Sequence, residues 1–201
     1  MKILIVGATG TIGAAVSQAL EAQHEVLRAS HSRSAFAVDL ADRSSIRRLF
    51  ARIGPLDAVV CAAGQAAFRP LLALSDADFA LGLTNKLMGQ VNLVRLGVET
   101  LADGGSFTLT SGILSRQPMP GGAAISLVNA GLEGFVRAAA LDLPRGIRIN
   151  AVAPGWVRET LVAMKMDPSP GVPAAQAAQT YVKCVEGSMT GQVLDVVGAA
   201  R

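Results

Sequence analysis

The stretch Met1 to Gly13, MKILIVGATGTIG, decides how the rest of the chain is organised. Residues 2–6 are apolar and rich in β-branched side chains, which predicts a buried strand. Residues 14–22 have apolar side chains at helical spacing, which predicts a helix. Three glycines separate the two elements: Gly7, Gly10 and Gly13. A strand, a glycine turn and a helix N-terminus together favour a diphosphate site, because main-chain N–H groups can then approach phosphate oxygens. The alternative is a glycine-rich turn without a ligand.

Composition indicates a single folded domain of the α/β class. The chain has 201 residues, of which 51% are hydrophobic and 16% charged, so most segments should be buried on at least one face. The net charge of +3 is spread along the chain, and aromatic residues make up only 4%. Nucleic-acid binding needs a basic stripe with stacking residues. The densest basic segment has helical spacing, which is typical of a solvated helix face, so no nucleic-acid partner is expected: Arg43, Arg47, Arg48 and Arg52.

Neither a metal site nor a membrane segment is expected. Cys61 and Cys184 are too few for a disulfide framework or a metal site, and Cys61 ends an apolar run typical of a buried strand. The start of the chain superficially resembles a signal peptide, but glycines and threonines interrupt its apolar run. We expect no apolar stretch of transmembrane length that is free of helix breakers. The sequence therefore predicts a soluble, cytoplasmic protein.

Strands alternate with helices along the whole chain. After the first strand, strands are predicted at 25–29, 35–38, 58–61, 106–110, 146–153 and 192–197. Helices are predicted at 43–53, 75–101, 123–142 and 173–186, and residues 156–171 are predicted to be irregular. This alternation favours a doubly wound parallel sheet of about seven strands, with helices on both faces. Ligands of such sheets bind at the carboxyl ends of the strands.

The end of the second strand predicts which dinucleotide binds. An acidic residue there would hold the ribose diol of NAD, whereas basic or small polar residues accommodate the 2′-phosphate of NADP. The chain has Ser30, His31, Ser32 and Arg33 at this point, with no acid. This favours NADP over NAD, with Arg33 and His31 as phosphate partners. The alternative is that Arg33 is a solvated loop charge.

Six segments resemble the short-chain dehydrogenase/reductase family, in the order and at the intervals typical of that family. They are GATGTIG at the start, VDL at Val38 to Leu40, CAAG at Cys61 to Gly64, GSFTLTSG, GIRINAVAPGWV from Gly146, and TGQVLDVVG near the end. The resemblance implies one NAD(P)-binding Rossmann domain over residues 1–201.

The resemblance also implies which residues bind the cofactor. The glycine turn would contact the diphosphate, through Gly7, Thr9, Gly10, Thr11, Ile12 and Gly13. Asp39 and Leu40 would meet the adenine, and Ala62, Ala63 and Gly64 would run beside its ribose. Pro154, Gly155 and Val157 would face the nicotinamide carboxamide.

The catalytic pattern of the family is missing. Its members reduce carbonyls with a Tyr as proton donor, a Lys four residues later and a Ser that binds the carbonyl oxygen. Here Ile125 stands at the Tyr position and Asn129 at the Lys position. The Ser position falls on Gly112, with Ser111 one residue away. The Asn that often completes such a site aligns with Lys86 or Asn85, and Tyr181 is not expected to be a displaced catalytic residue.

Two functions remain open from the sequence. The first is an NADP(H)-dependent oxidoreductase for a small carbonyl or alcohol, with an altered catalytic set of Ser111, Lys86 and Asn129. A buried lysine can have a lowered pKa and act as an acid. The second is an NADP(H)-binding sensor or partner-binding protein without hydride transfer. A fold that binds a cofactor does not decide between them.

Self-association is a further expectation. Relatives usually associate through the two long helices, here about residues 75–101 and 123–141, and small residues on the second would allow close packing: Gly131, Gly134, Ala138, Ala139 and Ala140. A homodimer or homotetramer is therefore predicted. The segment after Trp156, which closes over the substrate in relatives, contains methionines and prolines compatible with a small or apolar substrate.

Overall fold

One parallel sheet forms the centre of the computed structural model, which describes residues 1–198. Its seven strands are β1 (Lys2–Val6), β2 (Glu25–Ser30), β3 (Phe36–Ala37), β4 (Leu56–Cys61), β5 (Leu101–Thr110), β6 (Arg148–Pro154) and β7 (Val193–Val196). They lie in the order β3-β2-β1-β4-β5-β6-β7. The strand order reverses direction between β1 and β4, and this reversal opens the crevice in which such folds bind ligands. The predicted doubly wound fold is confirmed.

Helices cover both faces of the sheet. They are α1 (Thr11–Leu20), α2 (Arg43–Ile53), α3 (Asp76–Leu81), α4 (Gly89–Gly97), α5 (Ala123–Asp142), α6 (Arg158–Ala163) and α7 (Ala174–Glu186). Side chains of β1 alternate between the two layers, as the period of a strand requires. Leu4 and Val6 pack with the layer of α2, α4 and α5. Ile3 and Ile5 pack with that of α1 and α7, which also buries Cys184.

The long helix predicted over residues 75–101 is broken into pieces. Residues Gly82–Met88 form a π-helix between α3 and α4, and Leu101 already belongs to β5. Gly89 lies against the loop that follows β3, where an added Cβ would be 2.8 Å from the Leu40 Cβ. Apolar spacing does not distinguish an α-helix from a π-helix over two turns, so the sequence pattern missed this change of winding.

The prediction that residues 156–171 are irregular is wrong in part, because α6 occupies Arg158–Ala163. This short helix lies between Pro154-Gly155 and Pro168, whose turn signals dominated the prediction. Glu159 in its first turn also accepts hydrogen bonds from the Ala174 N–H, at 3.1 and 3.0 Å, and so joins α6 to the start of α7.

One helix of the described chain, α5, is long and apolar enough to cross a membrane by length and composition alone. The expectation that no such stretch exists was therefore wrong, because Gly131 and Gly134 do not break this helix. Val128, Leu132 and Val136 are all buried on its sheet-facing side. Contact with the sheet explains its apolar composition, since a helix that covers a sheet needs an apolar stripe.

Candidate active site

The glycine turn forms a close-packed cradle at the carboxyl end of β1. Gly7 has φ +87°, and an added Cβ would lie 2.8 Å from the Ala62 carbonyl oxygen. A Cβ on Gly13 would lie only 2.1 Å from the Gly7 oxygen. Both positions therefore exclude any side chain. No side chain caps the N-terminus of α1 at Gly10, so the first N–H groups of the helix are free to bind an anion.

A small cavity lies beyond the ends of β1 and β2, and we call it the adenosine end of the crevice because residues predicted to bind the adenosine line it. It has a volume of about 110 Å³ and is lined in part by predicted residues: Gly7, Ser30, His31, Asp39, Leu40, Ala63 and Gly64. Asn85 also lies here, and its Oδ1 accepts a hydrogen bond from the Gln65 N–H at 2.9 Å. The Asp39 carboxylate accepts from the Ala41 N–H at 2.9 Å, which holds the turn before α2.

The predicted phosphate partners surround the end of β2. Ser30 is buried and its Oγ accepts a hydrogen bond from the Arg33 N–H at 3.0 Å, which fixes this loop. His31, Ser32 and Arg33 are exposed. Within residues 1–198 the Arg33 guanidinium forms no ion pair. It is therefore available to a phosphate group at the mouth of the adenosine cavity.

A larger cavity of about 310 Å³ lies at the other end of the crevice. Most of its wall is apolar, formed by Phe68, Ile113, Leu114, Ile125, Trp156 and Val157. All three candidate catalytic residues are brought together there: Lys86, Ser111 and Asn129. Pro154, Gly155 and Ile12 complete the side nearest the glycine turn. The cavity thus combines an apolar body with few polar groups, as small-molecule sites do.

Lys86 supplies the cationic group of this cavity. Its Nζ donates a hydrogen bond to the Ser111 carbonyl oxygen at 3.1 Å. Gly64 lies against its stem, where an added Cβ would be 2.7 Å from the Lys86 Cγ. Lys86 has no carboxylate ion-pair partner in the part of the chain that the structure describes. Burial without a counter-charge lowers the pKa of Lys86 to about 8, because desolvation disfavours the ammonium form.

Asn129 lies on α5 opposite Lys86 and is buried, with 1% of its surface exposed. Its Nδ2 donates to the Gly112 carbonyl oxygen at 3.3 Å. Its Oδ1 has no hydrogen-bond donor among the described residues. An unsatisfied buried amide oxygen costs about 1–3 kcal/mol.

The Ser111 hydroxyl is fixed by a buried acid, Glu133, that the sequence motifs did not identify. Glu133 is 3% exposed and its Oε1 accepts from Ser111 Oγ at 3.0 Å and Ser115 Oγ at 2.5 Å. Arg116 pairs with the other carboxylate oxygen at 2.9 Å. The Ser111 hydroxyl is therefore engaged with Glu133, while its carbonyl oxygen faces Lys86. An acid inside the apolar run AGLEGF was the signal that could have identified Glu133.

Tyr181, which is not expected to be a displaced catalytic residue, lies in the core. It is fully buried on α7, and its hydroxyl forms a hydrogen bond of 2.8 Å with Thr110 Oγ1. Burial raises the pKa of Tyr181 above its ordinary value. Thr110 Oγ1 in turn donates to the Cys61 carbonyl oxygen at 2.5 Å. The phenol thus stabilises the ends of β4 and β5 beneath the cavity.

Comparison with known proteins identifies the family. The family model described as Enoyl-(Acyl carrier protein) reductase matches residues 7–193. A 3-oxoacyl-[acyl-carrier-protein] reductase of Rickettsia conorii is 26% identical over 79% of this chain and 73% of its own. An uncharacterised oxidoreductase of Mycobacterium tuberculosis is 30% identical over 96% of this chain and 82% of its own. The chain belongs to the short-chain dehydrogenase/reductase family, as the sequence motifs predicted.

Solved structures agree with this assignment. The protein lin1944 from Listeria innocua superposes with a TM-score of 0.94 at 40% identity, over 98% of this chain and 99% of its own. A small-chain dehydrogenase in complex with NADPH superposes with a TM-score of 0.88 at 28% identity, over 98% and 96% of the two chains. A relative of the same fold therefore binds the cofactor that the end of β2 predicts for this chain.

Proposed function

We propose that this chain is an NADP(H)-dependent oxidoreductase that interconverts a small carbonyl compound and its alcohol, with Lys86 as the proton donor. Membership of the short-chain dehydrogenase/reductase family supports oxidoreduction. The NADPH-bound relative supports the cofactor, and so does the lack of an acid among Ser30, His31, Ser32 and Arg33. The observation that carries the proposal is the Lys86 ammonium in an apolar cavity at the end of the crevice.

The residues present fit the cofactor. The uncapped N-terminus of α1 suits a diphosphate, and the exposed Arg33 suits a 2′-phosphate. The free Oδ1 of Asn129 suits a ribose hydroxyl, which would replace the bond that the family's lysine makes. When bound, NADPH supplies the hydride to the carbonyl carbon.

Lys86 would supply the proton. With a pKa of about 8, the side chain is mostly protonated near neutral pH and yet acidic enough to give its proton to a developing alkoxide. The Ser111 carbonyl oxygen, 3.1 Å from Nζ, holds the ammonium at the cavity wall. The neutral amine left after transfer is tolerated there because burial favours the uncharged form. Solvent at the mouth of the cavity returns the proton.

The substrate class follows from the cavity wall. Ile125 replaces a phenol with an aliphatic side chain, and Phe68 and Trp156 add aromatic surface. No carboxylate of the described chain lines this cavity, so a cationic substrate would find no partner. We infer a small ketone or aldehyde with an apolar body, of a size that leaves room for the nicotinamide ring in about 310 Å³.

The Lys86→Met variant tests the proposal directly. It keeps a similar length of apolar stem but removes the proton, so kcat for carbonyl reduction should fall by roughly 10²–10⁴-fold. The Kd for NADPH, measured by fluorescence titration, should stay within about threefold, because no step of binding depends on the proton. Lys183→Met, at an exposed position of α7, is the matched control and should leave both quantities unchanged.

A cofactor-binding protein without turnover is the second candidate, and the loss of both a Tyr at position 125 and a Lys at position 129 favours it. The two candidates separate in one assay series. NADPH with a panel of aldehydes and ketones, and NADP with alcohols, should show turnover for the enzyme. Micromolar NADPH binding without turnover on either panel would favour the binding protein.

Assembly and location follow the family only as proposals. We infer that two copies pair through the outer faces of α4 and α5. On α5, Leu127 is 49% exposed, and an added Cβ on Gly134 would meet nothing within 4 Å, so this face is open to a partner helix. Light scattering that gives the mass of a single chain would refute the pairing. The cytoplasmic location stays a prediction.

A further inference from the structure

Gln90 lies one helical turn after Lys86, at the start of α4, and is completely buried. Both polar atoms of its side-chain amide, Nε2 and Oε1, form hydrogen bonds to backbone groups. Nε2 donates to the Lys86 carbonyl oxygen at 3.2 Å and to the Thr110 carbonyl oxygen at 3.0 Å. Oε1 accepts from the Thr110 N–H at 2.8 Å. One side chain therefore joins the backbone of Lys86 to the last residue of β5.

The partner at Thr110 lies where two strands separate. The pairing of β4 with β5 extends only to Val60 and Thr108. The backbone N–H and C=O of Thr110 therefore have no hydrogen-bond partner in β4. The Gln90 amide supplies a donor and an acceptor in place of that strand. The next residue, Ser111, carries the carbonyl oxygen that accepts from Lys86 Nζ. Gln90 thus fixes both the backbone of Lys86 and the residue that its ammonium contacts.

The helix around Lys86 has an unusual winding, which contacts with other segments can stabilise. Residues Gly82–Met88 are wound as a π-helix, a conformation that is rare and frequently occurs at functional sites. A change to α-helical winding would rotate Lys86 about the helix axis relative to the cavity, since the two helices differ in residues per turn. A hydrogen bond from outside the backbone ladder to the Lys86 carbonyl oxygen opposes that rotation.

We infer that Gln90 is a positioning residue for Lys86, and that its amide keeps the ammonium in the cavity by joining the π-helix to the end of β5. The inference rests on the proposed function for its catalytic meaning, but the position of Lys86 can be measured without turnover. The chain has four lysines, Lys2, Lys86, Lys165 and Lys183, so the signals of each can be assigned by single substitutions.

The test uses Gln90→Met, which keeps the length of the side chain and removes all three hydrogen bonds. The Cε signals of protein labelled with [13C]lysine are followed by NMR from about pH 6 to about pH 11. In the parent chain the Lys86 signal should have its midpoint at about 8. In Gln90→Met the midpoint should rise toward 10.5, the ordinary value, because the ammonium leaves the cavity. Misplacement should also lower kcat by roughly 10–100-fold, with the limb of the pH profile moving in the same direction.

Asn92→Ala is the matched control. Asn92 is 5% exposed on the same helix, and its side chain contacts Arg95 at 3.5 Å rather than Lys86. This variant loses a buried polar group but should keep the Lys86 midpoint, so loss of stability alone is distinguished from loss of position. Should Gln90→Met fail to fold, Gln90→Asn keeps the amide on a stem one methylene shorter, which cannot span Lys86 and Thr110, and should raise the midpoint likewise.

The outcomes separate the two proposals. A folded Gln90→Met or Gln90→Asn with its Lys86 midpoint still at about 8 overturns the positioning role. A midpoint near 10.5 in the parent chain also overturns it, since Lys86 would then not be held in the cavity. A raised midpoint in the variants supports the positioning role even if Lys86→Met retains full turnover, a result that would refute only the proposed proton donor.

Discussion

The two ends of the crevice differ in the groups that they offer to a ligand. At the glycine turn, the ligand contacts would come from main-chain N–H groups at the uncapped N-terminus of α1. At the far end they would come from the side chains of Lys86 and Asn129 on two separate helices, beside Ser111, whose hydroxyl is bound to Glu133. Main-chain geometry depends on a few glycines and on strand order, whereas proton transfer depends on one titratable atom in one place. A chain of this fold can therefore keep the groups that bind a cofactor while the groups that transfer a proton differ.

At the far end, other side chains stand at the positions of the family's Tyr and Lys. Helix α5, where the family carries its Tyr and Lys, here contributes Ile125 and Asn129 to the cavity wall. The lysine that lines this cavity, Lys86, lies on the π-helix of the opposite wall. The apolar side chains of α5 affect the pKa of this lysine. A cation that has no polar partner in its cavity has a lower pKa than a cation with polar neighbours, because desolvation disfavours its charged form.

The largest effect expected at the glycine turn is that of Gly13→Ala. The new Cβ would lie 2.1 Å from the Gly7 oxygen and 2.7 Å from the Gly7 carbon, and neither backbone atom can move without deforming the turn. We expect the Kd for NADPH to rise by about 100-fold or more and the free energy of unfolding to fall by roughly 1–3 kcal/mol. Fluorescence titration and thermal melting measure the two changes.

Gly134→Ala is the control for this substitution. An added Cβ there meets nothing within 4 Å, and alanine is favoured over glycine in a helix by about 1 kcal/mol, so stability should rise slightly and affinity should not change. Unchanged NADPH affinity in Gly13→Ala would show that the glycine turn is not the diphosphate site.

The pH dependence of turnover tests the other end. Lys86 donates its proton only as the ammonium, so kcat for carbonyl reduction should be level below pH 8 and fall about tenfold per pH unit above it. The position of the fall follows from the lowered pKa of about 8. Alcohol oxidation needs the neutral amine and should show the opposite trend. Steady-state rates at saturating substrate measure both, and a level reduction rate up to about pH 10 would exclude Lys86 as the donor.

The smallest effect is expected for Arg33→Ala, which tests the choice between cofactors at the adenosine end. One exposed charge-assisted contact to a phosphate contributes about 1–2 kcal/mol, so the Kd for NADPH should rise roughly tenfold. The Kd for NADH, which lacks the phosphate, should change by less than about twofold. Arg47→Ala, exposed on α2, is the control. Equal losses for both cofactors would mean that Arg33 does not recognise the 2′-phosphate.

Sequence patterns predicted the sheet and most helices because their signals are local and periodic. β-Branched runs identified β1, β4 and β6, and the glycine spacing identified the turn after β1. Boundaries shifted where tertiary contacts decide them: β5 begins at Leu101 rather than at 106, and the helix after β1 begins at Thr11 rather than at 14. The π-helix and α6 were missed because apolar spacing and turn residues do not encode winding over one or two turns.

The sequence by itself determined the family, the doubly wound parallel sheet, the glycine turn and the absence of the Tyr and Lys pair, because each depends on residue types at fixed intervals. Only the tertiary structure shows which of Asn85 and Lys86 lines the larger cavity. The two side chains leave the π-helix in different directions, so Asn85 contacts Gln65 beside the smaller cavity and Lys86 lines the larger one. The hydrogen bonds of Gln90 and Glu133 likewise appear only in the tertiary structure, since their partners at Thr110 and Ser111 are about 20 residues away along the chain.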